Sequence, residues 1–286
     1  MTKTRQTALF AVLLAAIALF VVACGGGGSS SSETTSGGET SAETEESSAP
    51  SGEPLTVGSD VPYPPFEEFG NSKTEFKGFD IELMEAIAEK IGRTAEFQDT
   101  SFETIFRDLA QGKFEAVISA ATITAEREKA VDFSNPYYLS EQAILVKEGS
   151  SIESLAGLKG EVVGVQQGTT GQELAEEKSG ASEIRPFPEG PDAVNALKSG
   201  VVNAVVIDTP VAQDAVEKSG GIEIAENVPT EEEYGIAVSQ GETELLEEIN
   251  QGLKEVEEDG TYATIYMKWF KVEPPQAIFS ATHEAE

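Results

Sequence analysis

The feature that most restricts how this chain can fold is a regular alternation of two kinds of segment between Leu55 and Phe270. In one kind, apolar residues recur every three or four positions, as from Asp80 to Ile91, which predicts an amphipathic helix capped by Gly92. The other kind is a short apolar run, such as Ala204 to Ile207, which is typical of a buried strand. Strands that alternate with helices predict an α/β fold with right-handed crossovers.

The alternation occurs as two successive series, the second of which begins at Gly160. Two similar lobes can be independent domains, or a clamp whose chain crosses between them more than once. The predicted helices Glu244 to Glu257 and Thr261 to Trp269 favour the clamp, because they follow a complete second lobe without strands of their own. We expect them to return to the first lobe and to bury Leu246, Ile249, Leu253, Val256 and Ile265.

This path predicts that lobe 1 consists of residues 54–140 together with 236–286, and that lobe 2 consists of residues 141–235. The chain then crosses between the lobes near Ser140 and near Gly235. Extended crossings are compliant while each lobe has its own core, so the lobes are expected to rotate and close on a ligand.

The N-terminus has the layout of a signal peptide over residues 1–23, with Lys3 and Arg5 before an uncharged apolar run from Ala8 to Val22. The residues before Cys24 resemble the lipobox of bacterial lipoproteins, in which that thiol is lipidated; the alternative is an ordinary signal peptide with a chance cysteine. Residues 24–53 are rich in Gly, Ser, Thr and Glu, which predicts a flexible acidic linker. We therefore expect an extracytoplasmic protein that is lipid-anchored to the cell membrane, in a periplasm or at a cell surface.

Composition excludes several classes of function. A formal net charge of −32 argues against nucleic-acid binding, which needs clustered Lys and Arg. The single histidine, His283, rules out a Ser-His-Asp centre and a His-rich metal cage, and the single cysteine rules out an internal disulfide. We expect neither a cofactor nor a metal ion.

Several spaced motifs between Leu55 and Phe270 resemble the polar-amino-acid group of periplasmic binding proteins, solute-binding protein family 3, which serve ABC importers. The matching motifs are Pro64-Pro65-Phe66, Gly78-Phe79-Asp80-Ile81-Glu82-Leu83, Thr122-Ile123-Thr124 with Arg127, Asp132-Phe133-Ser134, Gly168-Thr169-Thr170 and Asp259-Gly260-Thr261-Tyr262. The resemblance implies a two-lobed periplasmic-binding-protein fold of type II, in which two hinge strands join the lobes. It also implies a monomer that traps a free L-amino acid and delivers it to the permease of an ABC transporter.

Two alternatives share this fold: an enzyme similar to cyclohexadienyl or arogenate dehydratase, and a ligand sensor. Catalysis would require a carboxylic acid that faces the ligand with a raised pKa. Only Asp60 and Asp208 qualify in the sequence, so we expect a binding protein rather than an enzyme.

The resemblance assigns the ligand's α-carboxylate to Arg127, whose guanidinium can form two parallel charged hydrogen bonds. Without the surrounding motif, an arginine between Glu126 and Glu128 would more often be a solvated helix residue. Thr122 and Ala120 occupy positions that offer the ligand's ammonium a hydroxyl and a carbonyl. Ser119 lies beside them, where it is equally consistent with a polar strand end.

Two further positions lie where strands meet helices. Gly168 and Thr170 flank a predicted helix N-terminus, which suits a carboxylate, although helix capping explains this turn equally well. Asp208 ends a predicted strand, where the family places an anion for the ammonium; the alternative is an N-cap before Pro210.

The ligand's side chain is assigned by the resemblance to Asp60, Tyr63, Phe102 and Gln166. Core packing explains the two aromatic residues equally well. An anionic Asp60 would favour glutamine, histidine, arginine or lysine over glutamate and aspartate. The alternative is that Asp60 caps the turn into Val61 and Pro62 and never contacts the ligand.

Overall fold

The computed structural model describes residues 52–276 and residue 278. The predicted signal peptide, Cys24, nearly all of the predicted linker and His283 lie outside the described residues. In the described part, no helix is both long enough and apolar enough to cross a membrane.

Strands and helices alternate as the apolar pattern predicts. The strands are β1 (Leu55–Ser59), β2 (Glu68–Phe69), β3 (Phe76–Lys77), β4 (Ala95–Asp99), β5 (Ala116–Val117), β6 (Val131–Phe133), β7 (Tyr138–Lys147), β8 (Val162–Gln166), β9 (Glu183–Phe187), β10 (Ala204–Asp208), β11 (Ile222–Tyr234) and β12 (Ala237–Ser239). The helices are α1 (Phe79–Lys90), α2 (Ile105–Ala110), α3 (Thr170–Lys178), α4 (Gly190–Ser199), α5 (Thr209–Ser219), α6 (Thr243–Glu258) and α7 (Thr261–Phe270). Short 3₁₀ turns occupy Arg127–Lys129 and Leu155–Leu158.

The strands form two five-stranded sheets, one for each lobe, with the orders β4-β1-β5-β12-β6 and β11-β7-β10-β8-β9. Both sheets are mixed: β1 runs parallel to β4 and β5, whereas β12 runs antiparallel to its neighbours. In the second sheet β8 is parallel to β9 and β10, and β7 is antiparallel to β10 and β11. This architecture confirms the predicted two-lobed α/β fold.

The chain passes from the first sheet to the second between Phe133 and Tyr138, and it returns between Tyr234 and Ala237. The two segments lie side by side, because Tyr138 pairs with Tyr234 and Ser140 pairs with Glu232 in the β7–β11 ladder. Two adjacent extended segments therefore connect the lobes. The lobe limits at residues 140 and 236 remain a prediction from the sequence.

The C-terminal helices pack on the first lobe, as their position in the chain predicted. Helices α6 and α7 both contact α1, and Ile249, Leu253 and Val256 are fully or almost fully buried. Gly252 permits this close approach: a Cβ atom there would lie 3.0 Å from Ile87 Cγ2 and 3.1 Å from the Ile87 carbonyl oxygen. A side chain at this position would push α6 away from α1.

The apolar spacing from Phe102 to Leu109 predicts a helix, and the helix in the structure is shorter. Helix α2 begins at Ile105 rather than at Phe102, because the Thr104 and Ile105 N–H groups close a turn on Ser101 and Phe102. Phe102 is thereby released from the helix, and its ring lies against the space between the lobes.

Candidate functional site

A pocket lies between the two lobes, close to the carboxyl ends of β1, β5, β8 and β10. This is the edge at which open α/β sheets bind ligands. It brings together ten of the eleven predicted ligand-binding residues, and Thr169 joins them: Asp60, Tyr63, Phe102, Ser119, Ala120, Thr122, Arg127, Gln166, Thr169, Thr170 and Asp208. The eleventh predicted residue, Gly168, contributes its carbonyl oxygen to Arg127 instead of lining the pocket.

Arg127 is half-buried in a 3₁₀ turn and does not lie on a solvated helix. Its guanidinium carbon lies 5.2 Å from the ring centroid of Phe102 and 4.9 Å from that of Phe106. Nη1 donates to the Thr122 carbonyl at 2.6 Å, and Nη2 donates to the Gly168 carbonyl at 3.2 Å. Two aromatic faces and two carbonyls therefore hold the cation at the pocket wall.

Asp208 ends β10 and is 7% exposed. Although it stands at the N-cap position of α5, its side chain makes no capping hydrogen bond. The carboxylate instead accepts from the Tyr63 hydroxyl at 2.7 Å and from Gln142 Nε2. Burial, and then the charge of Glu232, raise the pKa of Asp208 to about 7. The capping alternative therefore does not describe this side chain.

Asp60 follows β1 and is 4% exposed. Gln166 Nε2 donates to Asp60 Oδ2 at 2.6 Å, and burial raises the pKa of Asp60 to about 7 in spite of this hydrogen bond. The following turn is held by Asp99, whose Oδ1 accepts from the Val61 N–H at 3.2 Å. Asp60 is thus free of the capping role, and its carboxyl group faces the pocket.

Three of these hydrogen bonds join opposite lobes. Tyr63 and Asp60 belong to the first lobe, and their partners Asp208 and Gln166 end strands of the second. The bond from Arg127 to Gly168 crosses in the same way. The structure therefore describes the lobes in a closed arrangement.

The residue pattern did not single out Gln142 and Glu232, which stand behind the pocket. Glu232 Oε2 accepts from Thr122 Oγ1 at 2.7 Å and from Thr170 Oγ1 at 2.9 Å, and so bonds to pocket residues of both lobes. Gln142 is fully buried and donates to both Asp208 and Glu232. The one feature of the sequence that could have pointed to Gln142 is its position just before the apolar run that begins at Ala143.

Positive φ marks one residue of the pocket. Ala120 has φ 45°, a left-handed conformation that costs a residue other than glycine about 1–3 kcal/mol. Its N–H donates to Asp80 Oδ2 at 2.7 Å, and this hydrogen bond helps to hold the strained peptide. The backbone of Ala120 is thereby held by a residue outside the pocket.

The charges near the pocket are mainly negative. Asp60 and Asp208 line it and Glu232 lies behind it, whereas Arg127 is the one cationic side chain among the lining residues. Arg127 and Asp208 can serve opposite charges of a zwitterion, which leaves Asp60 for a polar or cationic side chain. Among the described residues, no group of three or more His, Cys, Asp or Glu is arranged to hold a metal ion.

Comparison with known families gives a match over residues 55–272 to the bacterial extracellular solute-binding proteins, family 3. The ABC transporter glutamine-binding protein GlnH of Bacillus subtilis (strain 168) is 35% identical over 209 residues, which cover 72% of this chain and 77% of that protein.

Solved structures give the same fold at higher coverage. An ancestral arginine-binding protein bound to glutamine is 44% identical, with a TM-score of 0.73, and the match covers 76% of this chain and 97% of that one. The arginine-, lysine-, histidine-binding protein ArtJ from Geobacillus stearothermophilus is 34% identical, with a TM-score of 0.75 and coverage of 79% and 99%.

Proposed function

This chain belongs to the bacterial extracellular solute-binding proteins of family 3, and we propose on that premise that it captures a free polar or cationic amino acid between its lobes. The closed lobes then deliver the amino acid to the permease of an ABC importer. The observation that carries the proposal is the pairing of Arg127 and Asp208 in one enclosed pocket whose third charged residue is Asp60.

The two poles of the pocket suit the two charges that all free amino acids share. Arg127 receives the α-carboxylate as a bidentate partner, supported by the N-terminus of α3 at Thr170. Asp208 receives the α-ammonium together with the Thr122 hydroxyl and the Ala120 carbonyl. Arg127 and Asp208 already form hydrogen bonds across the pocket, and their partners there, the Gly168 carbonyl and the Tyr63 hydroxyl, are neutral groups that a charged ligand can replace.

The remaining wall selects the ligand's side chain. Tyr63 and Phe102 supply aromatic faces, and Asp60 with Gln166 supplies a polar end. A carboxylate in a closed cleft attracts an amide, guanidinium or ammonium group and repels a carboxylate. The named relatives bind glutamine, or arginine with lysine and histidine, which supports the same class of ligand.

A calorimetric screen against the common amino acids tests the proposal. We expect arginine, lysine, histidine or glutamine to bind most tightly, and a saturating ligand at a hundredfold above its Kd to stabilise the fold by about 2.7 kcal/mol. Mass spectrometry of the same samples should recover the ligand unchanged. Conversion to a dehydrated product would support the dehydratase alternative instead, and a response that requires a separate membrane partner would support the sensor.

We expect Asp60→Asn to weaken arginine binding by about tenfold to a hundredfold, because a charged hydrogen bond contributes about 1.5–3 kcal/mol. Glutamine binding should change much less, since an amide needs no counter-charge. Competition calorimetry measures both, and the matched control is Asp192→Asn, which removes an exposed carboxylate at the start of α4. If glutamate or leucine outcompetes every polar and basic amino acid, Asp60 is not the selector.

The pH dependence of ligand affinity distinguishes the role of Asp60 from that of Asp208. With a pKa of about 7, Asp60 is partly protonated near neutrality, so a cationic ligand must displace its proton. Arginine affinity should therefore rise with pH up to about 7 and then level off. This rise should be steeper than that of glutamine affinity, which depends on the ionisation of Asp208 alone. In Asp60→Asn the additional slope for arginine should disappear.

We further propose that residues 1–23 are removed and that Cys24 is lipidated, so that the acidic linker tethers the binding lobes to the membrane. Two or more acyl chains anchor a protein stably, whereas one binds only marginally. Cys24→Ser should release the protein from membranes in cell fractionation, while Ser30→Ala in the same linker should not. A Cys24→Ser protein that still sediments with membranes would contradict the anchor.

A further inference from the structure

Two carboxyl groups are completely buried beneath the ligand pocket. Glu67 immediately precedes β2, and Asp80 lies in the first turn of α1; both side chains are 0% exposed. In the described part of the chain, neither carboxyl forms an ion pair with a lysine or arginine. Burial of two neighbouring anions without a counter-ion would have a large cost in free energy, which favours protonation of at least one of them.

The hydrogen bonds of the pair lead directly to the pocket. Ser119 Oγ donates to Glu67 Oε1 at 2.7 Å, and the Asp60 N–H donates to the same Ser119 oxygen at 3.0 Å. Asp80 Oδ2 accepts from the Ala120 N–H at 2.7 Å and from the Tyr137 hydroxyl at 2.8 Å. Each carboxyl therefore holds one of two consecutive residues that line the pocket.

Within the described part of the chain, the other oxygen of each carboxyl lacks a hydrogen-bond donor, which indicates where a proton could lie. Glu67 Oε2 and Asp80 Oδ1 are both buried, and neither receives a hydrogen bond from an N–H or hydroxyl group of the described residues. The two carboxyl groups nevertheless act on each other: the charge of Asp80 raises the pKa of Glu67, and a side-chain hydrogen bond with Glu67 lowers the pKa of Asp80. A hydrogen bond between two carboxyls exists only when one of them carries a proton.

We propose that Glu67 and Asp80 share one proton at neutral pH and that this pair is a positioning device that holds Ser119 and Ala120 in their ligand-binding conformation. Its effect on ligand affinity rests on the proposed function, whereas the shared proton itself does not. Glu67 is the proton donor, because Asp80 already accepts two other hydrogen bonds that stabilise its anionic form.

The surroundings of the pair are uniformly acidic or neutral. The ionisable groups whose charge or hydrogen bonds reach it are Asp60 after β1, Tyr137 and Tyr138 at the start of β7, and Tyr262 of α7. None of them supplies a positive charge. Burial is the largest cause that raises the pKa of both carboxyls, and it raises the pKa of Glu67 well above 4.5.

This arrangement predicts the sign of a pH effect on stability. A carboxyl whose pKa is raised in the folded state contributes stability that is fully present below its unfolded pKa, 4.5 for Glu67, and is lost as pH rises through the folded pKa. Glu67→Gln cannot lose a proton. Its amide N–H₂ can still donate to Asp80, and its carbonyl can still accept from Ser119.

The test compares the unfolding of wild type and Glu67→Gln by urea at several pH values between about 5 and 9. We expect wild type to lose stability more steeply than Glu67→Gln as pH rises. The matched control is Glu96→Gln, an exposed carboxylate on β4, which should follow wild type. Parallel curves for all three proteins would overturn the shared proton.

Infrared spectroscopy reads the same proton directly and requires no ligand. The difference spectrum of wild type minus Glu67→Gln at neutral pH should contain the carbonyl stretching band of a protonated carboxyl. If Glu67→Gln does not fold, carbon NMR of wild type with labelled glutamate side chains replaces this measurement. The absence of any protonated glutamate at neutral pH would overturn the proposal.

Ligand binding tests the positioning role. Glu67→Gln should retain arginine affinity within about threefold, whereas Glu67→Ala, which removes the Ser119 acceptor, should weaken it by about tenfold. Equal affinities of wild type and a folded Glu67→Ala would refute the positioning role. If wild type binds no amino acid, the proposed function fails, while the unfolding and infrared results still decide whether the proton is shared.

Discussion

Replacing Arg127 with alanine is expected to weaken the binding of every amino acid ligand by tens-fold or more. Removal of one partner from a buried charge pair leaves the ligand's carboxylate unpaired, which costs about 2–5 kcal/mol. Within its own lobe the side chain is held in place, because it lies over Phe102 and Phe106 and donates to the Thr122 carbonyl. Its loss therefore removes a preorganised binding group.

Calorimetry with arginine and with glutamine measures this loss, and both ligands should be affected equally because they share the α-carboxylate. Arg127→Lys should also bind weakly, since an ammonium group is not planar enough to stack on an aromatic ring and cannot form a bidentate pair with a carboxylate. Arg107→Ala is the matched control, because Arg107 is an exposed residue of the neighbouring helix α2. Near-native affinity of Arg127→Ala would refute the carboxylate role.

The second large effect is expected at Asp208. Asp208→Asn retains the size of the side chain and an oxygen that can accept from Tyr63, but it removes the charge that we propose as the partner of the ligand's ammonium. We expect a loss of affinity of tens-fold or more for all amino acids, again from an unpaired buried charge that costs about 2–5 kcal/mol. Asp192→Asn, at an exposed position, should bind like wild type.

Asp208→Asn should weaken ligand binding without lowering the stability of the fold. The pKa of Asp208 is raised to about 7, so its contribution to stability is lost as pH rises through that value. Asp208→Asn removes this titration, and above neutral pH the variant should unfold at a temperature no lower than wild type. A variant that binds normally, or one that is strongly destabilised at high pH, would contradict an anionic ligand-binding role.

Periodicity in the sequence was sufficient to predict the α/β architecture and most of its elements. Helices α1, α6 and α7 carry apolar residues on one face, and strands β8 and β10 are short apolar runs, so local pattern alone reports their burial. Strands β4 and β11 were not predicted, because charged and polar residues interrupt them. They are strands because β1 and β7 supply hydrogen-bonding partners for their backbones.

The motifs of the sequence also predicted nearly every residue that lines the pocket. They could not decide what Asp60 and Asp208 do, since a residue after a strand suits a cap and a ligand site equally well. Tertiary structure argues against both capping roles: Asp99 holds the turn after Asp60, and Asp208 accepts from Tyr63 instead of capping α5.

The residues that support the pocket became visible only in three dimensions. Glu67 resembles any acidic loop residue, Asp80 resembles any acidic residue at a helix start, and Glu232 is the middle of three consecutive glutamates. Their partners lie far away along the chain: Glu67 and Ser119 are 52 positions apart, and Thr122 and Glu232 are 110 apart. The burial of apolar residues can be predicted from the local sequence, since it depends on which face of a helix or strand they occupy. The partner of a buried polar group depends on which distant segments fold against it.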